Sequence, residues 1–134
     1  MKIFEFKLRV RYSETDQMGV VYHGNYAQYF EMGRVEWLRN TGISYKWMEE
    51  NGVMLPVVSL HINYKKPARY DDLLRVKTIL KSQTSVKIEF DYEIYNEQNE
   101  LLTIASSILV FVDMKTGRPM SPPQYVKDKI SMIL

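Results

Sequence analysis

The residues best suited to chemistry lie in one polar segment, from Tyr12 to Tyr26, between two apolar patterns. The segment contains a carboxylate at Asp16, a flexible glycine at Gly19, and a histidine at His23 directly before a helical pattern. The start of a helix has unpaired N–H groups and a partial positive charge, so it can stabilise an oxygen that becomes negative during acyl transfer. A nearby carboxylate could attack the acyl carbon or activate a water molecule. On residue types alone, turn and capping roles for Asp16 and His23 are the commoner alternative.

Changes in hydrophobic period predict the elements that hold this segment. Alternate residues from Phe4 to Tyr12 are apolar, which predicts a half-buried strand before it. Apolar residues then recur at helical spacing from Asn25 to Asn40, over an arc wide enough to predict a largely enclosed helix. Gly42 suits the C-terminal cap of that helix, and a second short helix is expected from Ser44 to Gly52.

The second half of the chain is predicted to be mainly strands. Alternation and β-branched content place them at residues 53–64, 73–81, 86–94 and 101–112. The polar turn 96–99 should join the last two strands in a hairpin, and the four strands are expected in antiparallel succession. The predicted fold class is α+β, a hot-dog fold in which an antiparallel sheet of about five strands wraps around one long central helix. Residues 1–134 are expected to form a single domain.

The composition excludes several kinds of site and partner. The absence of cysteine excludes a disulfide, a thiolate metal site and a cysteine nucleophile. A net charge of +2 does not indicate the concentrated basic face of a nucleic-acid-binding protein. The N-terminal segment alternates charged and apolar residues, and no stretch approaches the ~18 apolar residues of a membrane-spanning helix. We therefore expect a cytoplasmic protein without a signal peptide.

The run from Arg11 to Arg34 resembles the signature of the 4-hydroxybenzoyl-CoA thioesterase family of hot-dog proteins. It is most similar to the branch of acyl-CoA thioesterases associated with the Tol–Pal genes. That signature joins an acidic triplet, a glycine, a Val-Tyr-His run, an Asn-Tyr pair and a helix with Phe-Glu-x-x-Arg. All five are present: Glu14–Asp16, Gly19, Val21–His23, Asn25–Tyr26 and Phe30–Arg34. The wider resemblance covers nearly the whole chain, including 67–72, which looks like the family's turn between two strands.

The resemblance implies an acyl-CoA thioesterase that hydrolyses its substrate to a free acid and CoA. Asp16 matches the family's catalytic carboxylate, as nucleophile or general base, and the backbone N–H of His23 matches the amide that polarises the thioester carbonyl. The side chains of His23 and Tyr22 would line the same pocket. The further substrate-binding residues implied by the motif are Gly24, Asn25 and Tyr26. The family uses no metal and no cofactor, since CoA is part of the substrate, and we expect an aliphatic acyl group.

The resemblance also implies partners. CoA carries phosphates, and Lys65, Lys66 and Arg69 are the expected contacts, with a solvated basic turn as the alternative. Two protomers of the family pair their sheets edge to edge, so we expect a homodimer, and tetramers of such dimers are common. The Tol–Pal association would allow peripheral contact with lipid-synthesis or acyl-carrier proteins.

Two other functions stand beside hydrolysis. The first is a non-catalytic acyl-CoA or acyl-carrier-protein binding or scaffold protein, which would not need the carboxylate of Asp16. The second is a hot-dog dehydratase or hydratase, which would place acid–base residues in the central helix or in a Gly-Asp-x-Asn-Pro-x-His sequence that this chain lacks.

Three polar side chains outside the segment are expected to have structural roles. Glu31 and Arg34 are three residues apart on the predicted helix, which predicts a surface ion pair. His61 lies inside an apolar strand and is expected to be a histidine whose hydrogen bonds are satisfied within the fold.

Within the segment, His23 is equally open to a capping role through its side chain, with only its main chain in the mechanism.

Overall fold

The computed structural model describes residues 2–134, and its elements follow the predicted order with small shifts at their ends. The helices are α1 (Tyr26–Asn40), α2 (Tyr45–Glu50) and α3 (Gln124–Ser131). The strands are β1 (Ile3–Arg9), β2 (Val53–Met54), β3 (Val57–Tyr64), β4 (Leu73–Thr84), β5 (Lys87–Tyr95), β6 (Leu101–Val110) and β7 (Val112–Asp113). Two 3₁₀ turns, Tyr12–Glu14 and His23–Asn25, lie at the two ends of the polar segment. The first predicted strand is therefore too long at its C-terminal end, because Tyr12 lies in a turn and is exposed.

Five strands form one antiparallel sheet in the order β1-β4-β5-β6-β3, and β2 pairs separately with β7. The predicted hairpin of β5 and β6 is confirmed, with Tyr92 opposite Ala105. The predicted antiparallel succession is wrong for β3, which pairs with β6 and not with β4. Segment 65–72 starts against Leu102 in β6 and ends against Val10 after β1, so it crosses the end of the sheet and is not a tight turn.

The inner face of the sheet wraps around α1, as a hot-dog fold requires. Inward residues of β5 alternate with outward ones, and Phe90 and Tyr92 are fully buried. Phe30 of α1 packs on Tyr92 and Trp37 packs on Phe90, with ring centroids 4.8 and 5.1 Å apart. The expected enclosed helix is thus confirmed on its aromatic side, which forms the centre of the core.

Two side chains outside the polar segment differ from expectation. Arg34 is buried and donates a hydrogen bond to the Tyr92 hydroxyl, so it forms no surface pair with Glu31. The ion pair on that helix instead joins Glu36 and Arg39. The His61 side chain is exposed and makes no hydrogen bond to any of residues 2–134, so the expectation that its hydrogen bonds are satisfied within the fold is wrong. The side chain lies on the outer face of the sheet, in register with Ser106 and Asp91, which face away from α1.

No helix in the described part of the chain is both long and apolar enough to cross a membrane.

Helix α1 approaches β4 closely at Gly33. A Cβ atom at this position would lie 2.6 Å from the Thr78 hydroxyl oxygen and 2.9 Å from a Val76 methyl carbon. Both neighbours are themselves fully buried, so neither can move aside easily. The absence of a side chain at Gly33 is therefore what allows α1 to lie against the sheet.

We expect Gly33→Ala to lower the free energy of unfolding. Overpacking a closed core costs about 1–3 kcal/mol, which exceeds the gain of up to about 1 kcal/mol from better helix propensity. Chemical denaturation measures the change, and Gln28→Ala on the exposed side of α1 is the control, expected within about 0.5 kcal/mol of the unchanged protein. A Gly33→Ala protein as stable as the original would contradict this account of the contact.

Candidate active site

The polar segment after β1 forms a closed loop that presents Asp16. The Asp16 N–H donates to the Val20 carbonyl at 2.9 Å, and Thr15 forms a bridge with Val21. Gly19 has a φ of +77°, a conformation that a residue with a side chain adopts only with strain. These bonds hold Asp16 at a defined place on the loop.

The Asp16 carboxylate takes part in the turn and keeps one oxygen available. Its Oδ1 accepts the Met18 N–H at 2.8 Å, which confirms the turn role weighed for this residue. Within residues 2–134, Oδ2 has no hydrogen-bond partner, and the side chain is partly exposed. The turn role and a chemical role are therefore compatible, since they use different oxygens.

The start of α1 lies at the other end of this loop. The 3₁₀ turn His23–Asn25 runs directly into α1, and the His23 N–H has no acceptor among the described residues. The His23 side chain makes no capping hydrogen bond, so the capping alternative is wrong. Its ring instead lies 4.5 Å from the Tyr22 ring, centroid to centroid. The Tyr22 ring also covers Gly24, where a Cβ would come within 2.5 Å of it.

A cavity of about 250 Å³ opens beside the helix start. It is lined by Val21, His23, Tyr26, Tyr64, Lys65, Lys66 and Pro67. The structure thus brings together four of the residues predicted for the site: His23, Tyr26, Lys65 and Lys66. The predicted residues that do not line this cavity are Asp16, Tyr22, Gly24, Asn25 and Arg69.

Tyr64 is a site residue that the sequence analysis missed. Its hydroxyl donates to the His23 carbonyl at 3.1 Å, and its ring packs edge-on against Tyr26 with centroids 5.2 Å apart. It is the last residue of β3, so it links the edge of the sheet to the helix start. In the sequence, the only indication that Tyr64 belongs to the candidate site is its place directly before two lysines.

The three predicted phosphate contacts have different surroundings. Lys66 forms an ion pair with Glu100 at 2.8 Å and lowers the pKa of that carboxyl. Within the described residues Lys65 has no ion pair, although it lines the same cavity. Arg69 lines a neighbouring cavity of about 300 Å³ together with Lys66. Lys65 is therefore the cation with no competing carboxylate at the helix start.

Asn25 has a structural role that its place in the motif did not suggest. Its side-chain N–H donates to the Glu14 carbonyl at 2.8 Å, and the Tyr22 N–H donates to the same oxygen at 2.9 Å. The side-chain amide of Asn25 therefore binds the loop and not the cavity.

The Glu14 side chain is buried beneath this loop, although the residue lies only two positions before Asp16. It is 5% exposed, and its Oε1 accepts the Tyr29 hydroxyl at 3.0 Å and the Arg11 backbone N–H at 2.8 Å. Burial alone would raise the pKa of Glu14, but these hydrogen bonds and the Arg11 guanidinium outweigh it and lower the pKa. Burial, followed by the Glu14 carboxylate, raises the pKa of Tyr29.

No group of three or more histidine, aspartate or glutamate side chains in residues 2–134 is arranged to hold a metal ion.

Comparisons with known proteins agree on one family. Residues 10–130 match the model of the Thioesterase-like superfamily. The chain is 39% identical over 120 residues to the putative acyl-CoA thioesterase YneP of Bacillus subtilis, covering 90% of this chain and 87% of that protein. It is 33% identical to the acyl-CoA thioester hydrolase YbgC of Escherichia coli, covering 92% of each. The structure of a DHNA-CoA thioesterase from Staphylococcus aureus superposes with a TM-score of 0.94 at 37% identity, covering 99% of this chain and 91% of that one.

The lowered pKa of Glu14 predicts a pH-dependent contribution to stability. Because the folded-state pKa lies below the ordinary value of 4.5, ionised Glu14 stabilises the fold above that pH, and the contribution disappears as the pH falls through the folded-state pKa. We expect Glu14→Gln to cost about 1–3 kcal/mol at pH 7, since a buried charged hydrogen-bond partner is lost, and clearly less at pH 3. Thermal denaturation at both pH values measures this.

Glu97→Gln is the matched control, because Glu97 is exposed and makes no hydrogen bond to the described residues. Its small effect should be the same at both pH values. An equal loss of stability at pH 7 and pH 3 in Glu14→Gln would refute the charge-based role.

Proposed function

The chain belongs to the Thioesterase-like superfamily, and on this premise we propose that it hydrolyses acyl-CoA thioesters with Asp16 as nucleophile or general base. The membership makes it an acyl-CoA thioester hydrolase of the hot-dog fold. What we propose beyond this class is which residues act and on which acyl groups. The observation that carries the proposal is the His23 amide at the start of α1, which has no acceptor within residues 2–134 and ends the loop that contains Asp16.

The His23 N–H is the proposed donor to the thioester oxygen. This oxygen gains negative charge when the carbonyl carbon is attacked, and an N–H already held in place stabilises it without reorganisation. The partial positive charge of the helix start acts in the same direction. The Tyr64 hydrogen bond to the His23 carbonyl supports this role by fixing the turn.

Two routes are open to the Asp16 carboxylate. As a general base it takes a proton from water while the water oxygen attacks the carbonyl carbon, and the C–S bond then breaks to release CoA. As a nucleophile it forms an acyl–aspartate anhydride with loss of CoA, and water then hydrolyses the anhydride. The partner-free Oδ2 suits either route, since Oδ1 is bonded to Met18.

The cavity beside the helix start is the proposed entrance for the substrate. Lys65 is the leading phosphate contact, with Lys66 and Arg69 next to it, because cations pair well with phosphate oxygens. We propose aliphatic acyl groups as the preferred substrates, supported by apolar lining from Val21 and Pro67.

We expect Asp16→Asn to abolish release of CoA thiol without unfolding the protein. Loss of a positioned base or nucleophile costs about 10²–10⁴-fold in rate, while asparagine keeps the oxygen that accepts the Met18 N–H. Thiol release is measured against aliphatic and aromatic acyl-CoA thioesters. Asp113→Asn is the matched control, because Asp113 makes the same turn bond, to the Lys115 N–H, on β7.

Near-normal turnover in Asp16→Asn would remove this residue from the mechanism. No release from any thioester, with acyl-CoA binding retained, would favour the acyl-CoA or acyl-carrier binding protein considered from the sequence. Higher kcat/KM for aromatic thioesters would overturn the aliphatic preference alone.

We also propose a homodimer formed through the outer edge of β3, from which tetramers can be built. Strands β1 and β3 are the two edges of the sheet. Along β1, charged residues alternate with apolar ones, and charge protects an edge from pairing. Strand β3 contains no Lys, Arg, Asp or Glu, and Val58 and Tyr64 are 58% and 48% exposed. An apolar edge of this kind is suited to pairing with a second copy.

We expect sedimentation of the unchanged protein to give a mass of at least twice its chain mass of 15.9 kDa, as a dimer or a tetramer of two such dimers. Val58→Lys places a charge on the β3 edge and should raise the dimer dissociation constant at least about tenfold, which corresponds to about 1.4 kcal/mol. Ile3→Lys is the control on the opposite edge, where Ile3 is 41% exposed. Analytical ultracentrifugation distinguishes the cases, and a monomeric unchanged protein or equal effects of both variants would contradict the β3 interface.

A further inference from the structure

Glu14 connects the two parts of the proposed site through both its side chain and its main chain. Its carboxylate bonds the Tyr29 hydroxyl on α1, one turn after the helix start. Its carbonyl accepts N–H groups from Tyr22 and Asn25, on either side of His23. One residue further along the chain is Thr15, and the next is Asp16. A single residue thus links the carboxylate loop to the amide at the helix start.

The burial of Glu14 rules out direct contact with a substrate in the cavity. The side chain is 5% exposed, and both carboxylate oxygens are engaged, Oε1 with Tyr29 and Oε2 with the Arg11 guanidinium at 3.1 Å. Without such contact, Glu14 can act on the reaction through the positions of Asp16 and the His23 amide, to which it is connected.

We propose that Glu14, held by Tyr29, is a positioning residue that sets the separation between the Asp16 carboxylate and the His23 amide. This inference rests on the proposed function, in which those two groups act on one thioester. The reaction is sensitive to their separation, because attack on the carbonyl carbon and stabilisation of its oxygen must occur together. Tyr29 is itself fully buried, so it gives Glu14 a rigid anchor on α1.

The test compares Glu14→Ala, Glu14→Gln and Tyr29→Phe in steady-state thiol release. Glu14→Ala and Tyr29→Phe should each lower kcat about 10–100-fold, because small displacements of reacting groups have effects of this size, with KM within about twofold. Glu14→Gln keeps an oxygen that can accept from Tyr29 and should recover most of kcat. The double variant Glu14→Ala/Tyr29→Phe should lose no more of kcat than the worse single variant, since both substitutions break the same Tyr29–Glu14 hydrogen bond.

Ile130→Val and Ile130→Ala provide controls of reduced stability, because Ile130 is buried in α3 and distant in sequence from the loop. For each test variant, the Ile130 variant with the matching melting temperature should keep the kcat of the unchanged protein. Values of kcat for Glu14→Ala and Tyr29→Phe no lower than those of the matched controls would overturn the positioning role, as would additive losses in the double variant. Asp16→Asn distinguishes failure of the proposed function from failure of this inference alone. If it is active, the proposed function fails; if it is inactive while the Glu14 and Tyr29 variants are normal, only this inference fails.

Discussion

Phe30 and Trp37 fill the space between α1 and the inner face of the sheet, and Tyr29 on the same helix contacts Tyr26 and Glu14. All three aromatic side chains are fully buried. Burial of each such side chain contributes on the order of 1.5–3 kcal/mol, so this contact is a major source of stability for the domain. Its consequence for the site is geometric. Because the aromatic face fixes the helix against the sheet, the first turn of α1 and its unpaired amide are fixed as well. The His23 N–H, which could donate to an oxygen that gains negative charge, is thus positioned by the core through α1 as well as by the hydrogen bonds of Tyr22 and Asn25 to Glu14.

The sheet places the site at its edge. Tyr64 ends β3, the edge strand without charged residues, and its hydroxyl reaches the carbonyl of His23. Segment 65–72 then crosses the end of the sheet and supplies Lys65 to the same cavity. In the proposed dimer a second copy would lie along β3, and the cavity would be bounded by both protomers. The open side of the cavity and the unprotected edge of the sheet are consequences of the same strand order.

Local patterns in the sequence predicted most of this architecture, and several of the errors share one cause. The alternation from residue 86 to 94 and the helical spacing from 25 to 40 each depend on neighbours in the chain, and both elements are confirmed within one residue at each end. The pairing of β3 with β6, the burial of Arg34 against Tyr92 and the contact of Tyr64 with His23 depend on residues about 40 or more positions apart. Periodicity carries no information about such partners, so polar residues with distant partners were assigned to the surface or passed over.

The site itself shows why residue type and local turn chemistry are insufficient to identify it. Asp16 and Asp113 accept the N–H two residues ahead at 2.8 and 2.9 Å, and by that measure they are the same structural feature. Only Asp16 lies on a loop that returns to the start of a long buried helix, two residues after a buried glutamate that bonds that helix. What distinguishes Asp16 from an ordinary turn residue such as Asp113 is therefore that its loop leads to the start of α1. In the proposed reaction, the Asp16 carboxylate attacks the thioester or activates water, while the His23 N–H at the start of that helix donates to the oxygen that the attack makes negative.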